Sequence, residues 1–292
     1  MLVTMNEILK KARKDGYGVI ANTIFDEGNM RVAIEAAEEK YSPLIMNFNL
    51  STKFLQNDID AKLYIDVARR RASIAKVPVA INADHCRNFE TIMKAISLGF
   101  TSVMIDASTK SFEDNILTTS HVVEVAHSCG LSVEAELGCV GVANGDDPEI
   151  MKSMGNKPVD NVYTDPDKVK EFVERTNVDC LAISIGNAHG PYAKGITPHI
   201  EFELLEQIAH VTDIPLALHG GSGTGDENLS KACKMGICKI NVATDLMTAQ
   251  VNRFEETATG SFSRFRFEEA LDAYKQEVER YMDVFGSTNR ID

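Results

Sequence analysis

The chain has 292 residues, of which 44% are hydrophobic and 25% charged, a composition typical of a globular protein that buries a full core. Its net charge of −13 argues against nucleic acid as the main partner, because binding to a phosphate backbone requires a positively charged surface. No apolar stretch approaches the roughly 20 residues of a membrane-spanning helix, and residues 1–14 lack the apolar block of a signal peptide. The six cysteines include no C-x-x-C pair, so we expect reduced thiols and a cytoplasmic protein.

Short apolar runs alternate with longer helical patterns along the chain. Strands are predicted at residues 18–23, 43–48, 77–81, 101–105, 131–137, 180–185, 214–218 and 237–242. Helices are predicted between them at residues 28–40, 59–75, 88–98, 112–129, 164–176, 200–210 and 226–235, with further helix after the last strand. Residues 138–163 are predicted to form a long loop.

This order predicts the fold class. Strands joined by crossover helices are parallel, and eight such units in about 250 residues match a (β/α)8 barrel. An open doubly wound sheet is the alternative, but no G-x-G-x-x-G turn follows the first strand. No linker rich in Pro, Gly or Ser interrupts the chain. We therefore expect residues 1–292 to form a single α/β domain, a TIM barrel whose extra C-terminal helices cap the barrel or form a subunit contact.

Three histidines stand at predicted strand ends. His85 follows the third strand, His189 follows the sixth, and His219 ends the seventh before a glycine-rich turn. These positions share one end of a barrel, the end at which barrel enzymes carry their active sites. Three neutral imidazoles with a free fourth position are typical of catalytic Zn²⁺. The alternative is three histidines that are hydrogen-bonded separately.

Acidic residues accompany the proposed metal ligands. Asp84 precedes His85 and is a candidate proton shuttle, with the alternative that its carboxylate only orients an imidazole. Glu134 and Glu136 share one face of the fifth strand, since alternate residues of a strand point the same way. We expect Glu136 to be an auxiliary metal ligand and Glu134 to be structural.

The turns after the last two strands predict a phosphate site. Gly220, Gly221 and Ser222 follow the seventh strand, and Asn241–Thr244, which includes Val242 and Ala243, ends the eighth. Glycine lets the backbone approach a ligand, helix N-termini favour anions, and these two loops of a barrel often hold phosphate. The alternative is two ordinary tight turns.

Two basic features are interpreted differently. Arg69, Arg70 and Arg71 are interpreted as a solvated helix face, whereas Arg264 lies beyond the last strand and is a candidate to meet a second anion.

At this point the chain resembles the class II, metal-dependent ketose-bisphosphate aldolases, the family of fructose- and tagatose-bisphosphate aldolases. The resemblance runs nearly end to end. It rests on the motifs Ala83-Asp84-His85, Glu134-Ala-Glu136-Leu-Gly138, Tyr163-Thr-Asp-Pro166, Gly186-Asn-Ala-His189-Gly190, His219-Gly-Gly-Ser222-Gly, Lys239-Ile-Asn241-Val-Ala-Thr244 and Phe285-Gly286-Ser287.

The resemblance implies a function and assigns roles. It implies aldol cleavage and condensation of a ketose 1-phosphate or 1,6-bisphosphate, with zinc on the three histidines and Asp84 as proton donor. Asn241 is then placed to hydrogen-bond the charged three-carbon fragment. The resemblance further implies a phosphate cradle with a monovalent cation (Na⁺ or K⁺) nearby and a homodimer or homotetramer. The residues of the cradle are Gly190, Gly220, Gly221, Ser222, Asn241, Val242, Ala243 and Thr244.

The chain departs from the family pattern at three places. Asn82 stands where the family usually has histidine, Cys139–Asn144 replaces a Gly-Gly-x-Glu loop, and Asn49 replaces a serine. These departures affect the far end of the sugar and one proton transfer, so the sequence does not select the ketose. Two other functions stay open at this stage, a metal-dependent hydrolase and a non-catalytic sugar-phosphate binding protein.

Overall fold

The computed structural model describes residues 1–143, 162–190, 192, 195–257 and 265–291. Its strands are β1 Val19–Thr23, β2 Leu44–Phe48, β3 Val79–Cys86, β4 Ser102–Ile105, β5 Ser132–Leu137, β6 Gly141–Val142, β7 Cys180–Ile183, β8 Ala188–His189, β9 Leu216–Leu218 and β10 Ile237–Val242. Its helices are α1 Met5–Asp15, α2 Glu27–Glu39, α3 Lys53–Gln56, α4 Asp58–Ile74, α5 Phe89–Leu98, α6 Phe112–Ser128, α7 Pro166–Thr176, α8 Phe202–Val211, α9 Asp226–Lys234, α10 Thr244–Glu256 and α11 Phe265–Phe285.

Eight parallel strands of the described chain close into a barrel. They follow the order β1, β2, β3, β4, β5, β7, β9 and β10, and β10 pairs back to β1. The register aligns Leu44 with Val79 in one pair and Val19 with Lys239 in the closing pair. The predicted (β/α)8 barrel is thus confirmed. The open doubly wound sheet is wrong because the first and last strands are hydrogen-bonded to each other.

The barrel interior changes from apolar to polar along its axis. Near the N-terminal ends of the strands it is filled by a buried apolar cluster that includes Val19, Ala21, Ile45, Ala80, Met104, Ala182 and Ala217. Successive inward positions toward the carboxyl ends carry polar groups instead, because residues two apart share a face. Asn82 on β3 donates a hydrogen bond to Asn47 on β2 at 3.0 Å, and both are fully buried. The chemistry-bearing side chains therefore collect at the carboxyl end of the barrel.

Helix α1, which the sequence did not predict as an element, closes the other end. It begins with a capping box in which the Thr4 hydroxyl accepts from the Glu7 N–H and the Glu7 carboxylate accepts from the Thr4 N–H. Its buried face adds Met5, Ile8, Leu9 and Ala12 to the interior cluster. The Met5 N–H donates to the Ser102 hydroxyl at the start of β4, at 2.9 Å. Because α1 and the apolar cluster fill the N-terminal end of the barrel, a ligand can enter at the carboxyl end.

The C-terminal helices lie along the barrel wall. Helix α11 packs against α2, α10 and β1, and its buried Tyr274 accepts a hydrogen bond from Asn22 on β1 at 3.1 Å. The expectation that these helices cap the barrel is therefore wrong for the described part of α11, because its apolar face covers the outside of β1. A subunit contact by its remaining surface stays a prediction.

Two short strands extend the barrel at its carboxyl end. β6 pairs in parallel with β8, and the register places Val142 beside His189. β6 lies in the loop predicted at residues 138–163, and β8 lies just beyond the strand predicted at residues 180–185. No helix in the described part of the chain is long and apolar enough to cross a membrane.

Candidate active site

The fold brings the three predicted histidines together at the carboxyl end of the barrel. His85 lies near the end of β3, His189 on β8, and His219 directly after β9. The ring centroid of His85 lies 5.1 Å from that of His189 and 4.8 Å from that of His219. The ring centroids of His189 and His219 are 5.7 Å apart. One nitrogen from each ring falls within 4.8 Å of the others. Segments distant in sequence thus supply one compact imidazole cluster.

Carboxylates orient two of these rings. Oε1 of Glu134 lies 2.8 Å from Nε2 of His219, and Oδ2 of Asp106 lies 3.1 Å from Nδ1 of His85. A carboxylate beside one ring nitrogen accepts a hydrogen bond from it and so fixes the tautomer, in which the other ring nitrogen carries the lone pair. The other nitrogen of each ring, Nδ1 of His219 and Nε2 of His85, is then the one that would meet a cation.

The backbone of His85 explains how adjacent residues both reach the site. Its φ is +51°, and the register between β3 and β4 shifts between Ala83 and Cys86. The left-handed residue interrupts the strict alternation of the strand. Asp84 therefore keeps its inward direction while the imidazole of His85 turns toward the cluster, and Nε2 of His85 lies 3.9 Å from Oδ2 of Asp84.

Asp84 is held by two groups from β10. The side-chain amide of Asn241 donates to its two oxygens at 3.4 and 3.2 Å. The ammonium of Lys239 lies 3.8 Å from Oδ1 of Asp84 and 2.7 Å from Oε2 of Glu134. Asp84 retains 8% exposure, whereas Lys239 and Glu134 are fully buried. Of Asp84, Lys239 and Glu134, Asp84 is therefore the residue that a ligand can approach.

Lys239 is charged despite its burial. Desolvation acts to lower its pKa, but the nearby charges of Glu134 and Asp84 outweigh that effect, and the pKa lies above its ordinary value. The ammonium offsets part of the negative charge inside the barrel. It lies between Asp84 and Glu134, the carboxylate that contacts His219.

The donor set fits a divalent cation. Four carboxyl groups, those of Asp84, Asp106, Glu134 and Glu136, are buried around the imidazoles, and two of them, Asp84 and Glu134, lie within 4 Å of the buried ammonium of Lys239. Three imidazole nitrogens with carboxylates behind them are the usual ligands of zinc at a site with an open position. A cation of charge +2 would also balance the excess of acidic groups.

Glu136 lies at the edge of this site. Its Oε1 accepts from the Val140 N–H at 3.0 Å, and its Oε2 lies 4.0 Å from Nδ1 of His219. Glu136, Asp106 and His85 form a second group with the spacing that a metal ion requires. Its role as an auxiliary ligand stays a prediction.

The predicted phosphate cradle lies between β9, β10 and helix α10. The Gly221 N–H donates to the Asn241 carbonyl at 2.9 Å, and a side chain at Gly220, whose φ is +64°, would collide with the Ala188 carbonyl. The Ser222 hydroxyl accepts from the Ala243 N–H at 3.4 Å and from the Asp245 N–H at 3.2 Å.

The start of helix α10 faces the same turn. The helix begins at Thr244, directly after Val242 and Ala243, and its N-cap residue Ala243 has no side chain that could cap it. A helix N-terminus beside glycine backbone can receive an anion. Gly190, with φ +86°, follows His189 at the neighbouring turn.

Some predicted residues lie outside this geometry. Arg264 and the acidic residues Asp146, Asp147 and Glu149 lie outside the described residues. The other histidines are away from the cluster. His127 lies 2.8 Å from Asp179, and His121 stacks on Phe89.

Sequence reasoning missed Asp106 and Lys239. Asp106 directly follows β4, so its position at a strand end was the available signal. Lys239 was visible as a lone charge inside the buried strand β10, where an unpaired lysine is rarely found. Neither signal identifies the partner across the barrel.

A family model described as Fructose-bisphosphate aldolase class-II matches residues 3–290. The chain belongs to the class-II fructose-bisphosphate aldolase family. Relatives that match nearly the whole chain are also named as aldolases. This class-II aldolase is 38% identical over 293 residues to a probable fructose-bisphosphate aldolase of Bacillus subtilis (strain 168), with 99% of both chains covered.

Two further comparisons extend the likeness. The aldolase is 35% identical over 294 residues to the D-tagatose-1,6-bisphosphate aldolase subunit GatY of Klebsiella oxytoca, with 99% of both chains covered. Its structure matches the crystal structure of the YdjI aldolase from Escherichia coli K12 with a TM-score of 0.84, 32% identity and 100% coverage of both chains. The chain is therefore a lyase of carbohydrate metabolism that catalyses aldol cleavage and acts on sugar phosphates.

Proposed function

We propose that this class-II aldolase is zinc-dependent and cleaves a ketose 1-phosphate or ketose 1,6-bisphosphate. The products are dihydroxyacetone phosphate and an aldehyde, which is glyceraldehyde 3-phosphate if the substrate is fructose or tagatose 1,6-bisphosphate. The observation that carries the proposal is the imidazole cluster of His85, His189 and His219 beside Asp84 and Asn241. Relatives named for fructose and tagatose bisphosphates support the substrate class.

The metal would be held by His85, His189 and His219, with Glu136 as an auxiliary ligand. Zinc at this position supplies a Lewis acid that stabilises negative charge on the three-carbon fragment. Glu134 and Asp106 keep the imidazoles of His219 and His85 in the ligating orientation, as their distances of 2.8 and 3.1 Å support.

Asp84 acts as the general base in cleavage and the general acid in condensation. It takes the proton of the C4 hydroxyl, the C3–C4 bond breaks, and the electron pair of that bond stays on the three-carbon fragment, which gains one proton at that carbon before it leaves as dihydroxyacetone phosphate. In the reverse direction Asp84 returns the proton to the new hydroxyl. Asn241, whose amide lies 3.2 Å from Asp84, donates a hydrogen bond to the charged fragment when substrate is bound. Both side chains are therefore assigned as catalytic.

The phosphate of the dihydroxyacetone phosphate moiety lies against backbone N–H groups. Gly190, Gly220, Gly221 and Ser222 form one wall of this cradle. Asn241, Val242, Ala243 and Thr244 lead into the start of helix α10 and form the other. A monovalent cation, Na⁺ or K⁺, offsets part of the phosphate charge. Arg264, outside the described residues, meets a second phosphate where the substrate carries one.

We further propose the setting in which the enzyme works. It acts in the cytoplasm as one domain spanning residues 1–292 and as a homodimer or homotetramer. The closed barrel, around which the described helices pack, supports the single domain.

Release of triose phosphate from a panel of ketose phosphates tests this function. The panel contains fructose and tagatose 1,6-bisphosphates and their 1-phosphates, each assayed with zinc, after chelation, and after zinc is added back. We expect cleavage of at least one ketose, its loss on chelation and its return with zinc. A zinc-replete enzyme that binds dihydroxyacetone phosphate but cleaves no ketose of the panel would contradict the proposal, as would full activity of metal-free enzyme.

A further inference from the structure

Helix α4 has apolar residues on two opposite faces. Its inner face, formed by Ala61, Ile65, Ala68 and Ala72, is buried against the barrel. A second apolar row points to solvent, with exposures of 72% for Ile59, 62% for Leu63, 40% for Val67 and 74% for Ile74. At 100° per residue, the row lies about half a turn from the inner face. We call this row, together with Asp60 and Arg70 beside it, the α4 outer face.

Such a row requires an explanation. A helix at the surface of a globular protein normally carries polar residues on the side away from the core. Among the helices described, α4 alone exposes four large apolar side chains in one row. The neighbouring helix α5 adds Met93, which is 41% exposed, and is joined to α4 by an ion pair of 2.8 Å between Lys94 and Asp58. A contiguous apolar surface of this kind is typical of an interface.

The charges of α4 show what kind of partner fits. Most of them are satisfied within the chain: Lys62 pairs with Asp66 at 3.4 Å, Asp66 also lies 3.9 Å from Arg69, and Arg71 pairs with Glu27. Asp60 and Arg70 are both exposed, and neither has an ion pair with any described residue. Asp60 and Arg70 flank the part of the row formed by Leu63 and Val67, and one is acidic and the other basic.

We propose that the α4 outer face binds the same face of a second copy of this chain across a two-fold axis. In an antiparallel arrangement Leu63 packs on Val67 of the partner subunit, and Asp60 lies opposite Arg70 of the partner subunit. Both pairs are centred on position 65, so one axis satisfies them together and each contact occurs twice. A two-fold interface requires a surface complementary to itself, and an acidic end joined to a basic end by an apolar row meets that requirement. The inference names the surface behind the homo-oligomer proposed above.

The molar mass of the full-length enzyme in solution tests the interface. We expect Leu63→Asp to reduce the assembly to half the wild-type mass, because a buried carboxylate would face the apolar row of the partner. Leu117→Asp on α6 is the matched control, since Leu117 is equally exposed at 63%, and it should keep the wild-type mass. Circular dichroism and thermal unfolding should show that both variants are folded, as neither side chain is buried.

A charge exchange tests the register. Asp60→Arg and Arg70→Asp should each weaken association at least ~10-fold, because each variant places two pairs of like charges across the axis. The double variant restores opposite charges and should associate within about three-fold of wild type. Sedimentation at several protein concentrations measures the dissociation constants.

Each outcome bears on one part of the proposal. Wild-type enzyme that stays monomeric at micromolar concentrations overturns both the interface and the proposed homo-oligomer, while leaving the aldolase activity as it is. A wild-type assembly that survives Leu63→Asp overturns the α4 interface alone. Single charge variants that weaken association without rescue in the double variant overturn the antiparallel register.

Discussion

At the scale of single residues, the role of each side chain follows from the group that lies behind it. His219 has Glu134 at 2.8 Å, and Glu134 in turn has Lys239 at 2.7 Å, so a carboxylate stands between the imidazole and the buried ammonium. Asp84 meets the same lysine at 3.8 Å but keeps partial exposure. The two carboxylates therefore differ in role, because only one of them can reach a substrate.

Replacement of Asp84 separates chemistry from binding. We expect Asp84→Ala to lose at least ~10²-fold in kcat, the usual contribution of a general acid–base group. Zinc content and binding of dihydroxyacetone phosphate should persist, because the imidazoles and the cradle are unchanged. Steady-state kinetics, metal analysis and calorimetry measure the three quantities. Asp213→Ala, at an exposed aspartate away from the site, is the control, and retained turnover in Asp84→Ala would remove Asp84 from its role.

Replacement of Lys239 tests the charge inside the barrel. In Lys239→Met the carboxylate of Glu134 stays buried without its ammonium partner, and breaking a buried pair in this way costs about 3–5 kcal/mol. Urea unfolding should show this loss of stability. Lys62→Met, at a lysine with 67% exposure, should change the free energy of unfolding by less than about 1 kcal/mol. An equally small change in Lys239→Met would mean that the ion pair between Lys239 and Glu134 does not stabilise the folded enzyme.

The sequence predicted some of these residues and not others. His85, His189 and His219 were visible because each follows an apolar run, and the structure brings them together. Their partners Asp106 and Lys239 were not visible as partners, because hydrogen bonds across a barrel join strands in a register that the sequence does not contain. Glu134 was expected to be structural, and its Oε1 lies 2.8 Å from Nε2 of His219.

At the scale of elements, local patterns predicted which helices and strands exist better than they predicted where each one ends. β3 was predicted at residues 77–81 but extends to Cys86, because Cys86 pairs again with Ile105 of β4 after a register shift across Asp84 and His85. Polar residues at its end hid the strand, since the prediction followed apolar content. Helix α7 was predicted from residue 164 and begins at Pro166, where the Asp165 carboxylate accepts from the Asp167 N–H. Helix α1 was missed although Thr4 and Glu7 carry the local signal of a capping box, and its place at the N-terminal end of the barrel appears only in the tertiary structure.

At the scale of the whole molecule, the three imidazoles of the cluster come from distant parts of the barrel. His85 lies near the end of β3, His189 lies on β8 and His219 directly follows β9. An ion bound to all three would stabilise the closed barrel, because it binds the folded state and not the unfolded chain.

Metal removal should therefore lower the melting temperature. At a free zinc concentration about 100 times the dissociation constant, binding contributes about 2.7 kcal/mol, which corresponds to a shift of roughly 5 °C or more. Scanning calorimetry of zinc-replete and chelated enzyme measures the difference. His219→Ala should abolish it, whereas His127→Ala, whose imidazole lies away at Asp179, should keep it. Identical melting of the two wild-type preparations would contradict metal binding at this site.

The sequence by itself determined the alternation of strands and helices, the barrel and the imidazoles at strand ends, because periodicity and turn residues act over short distances along the chain. Only the tertiary structure decided that Asp106 orients His85, that Lys239 joins Glu134 to Asp84, and that α11 lies on the wall and α1 in the floor of the barrel. These contacts depend on which inward positions meet when eight strands close, and closure fixes a three-dimensional register that no single segment encodes.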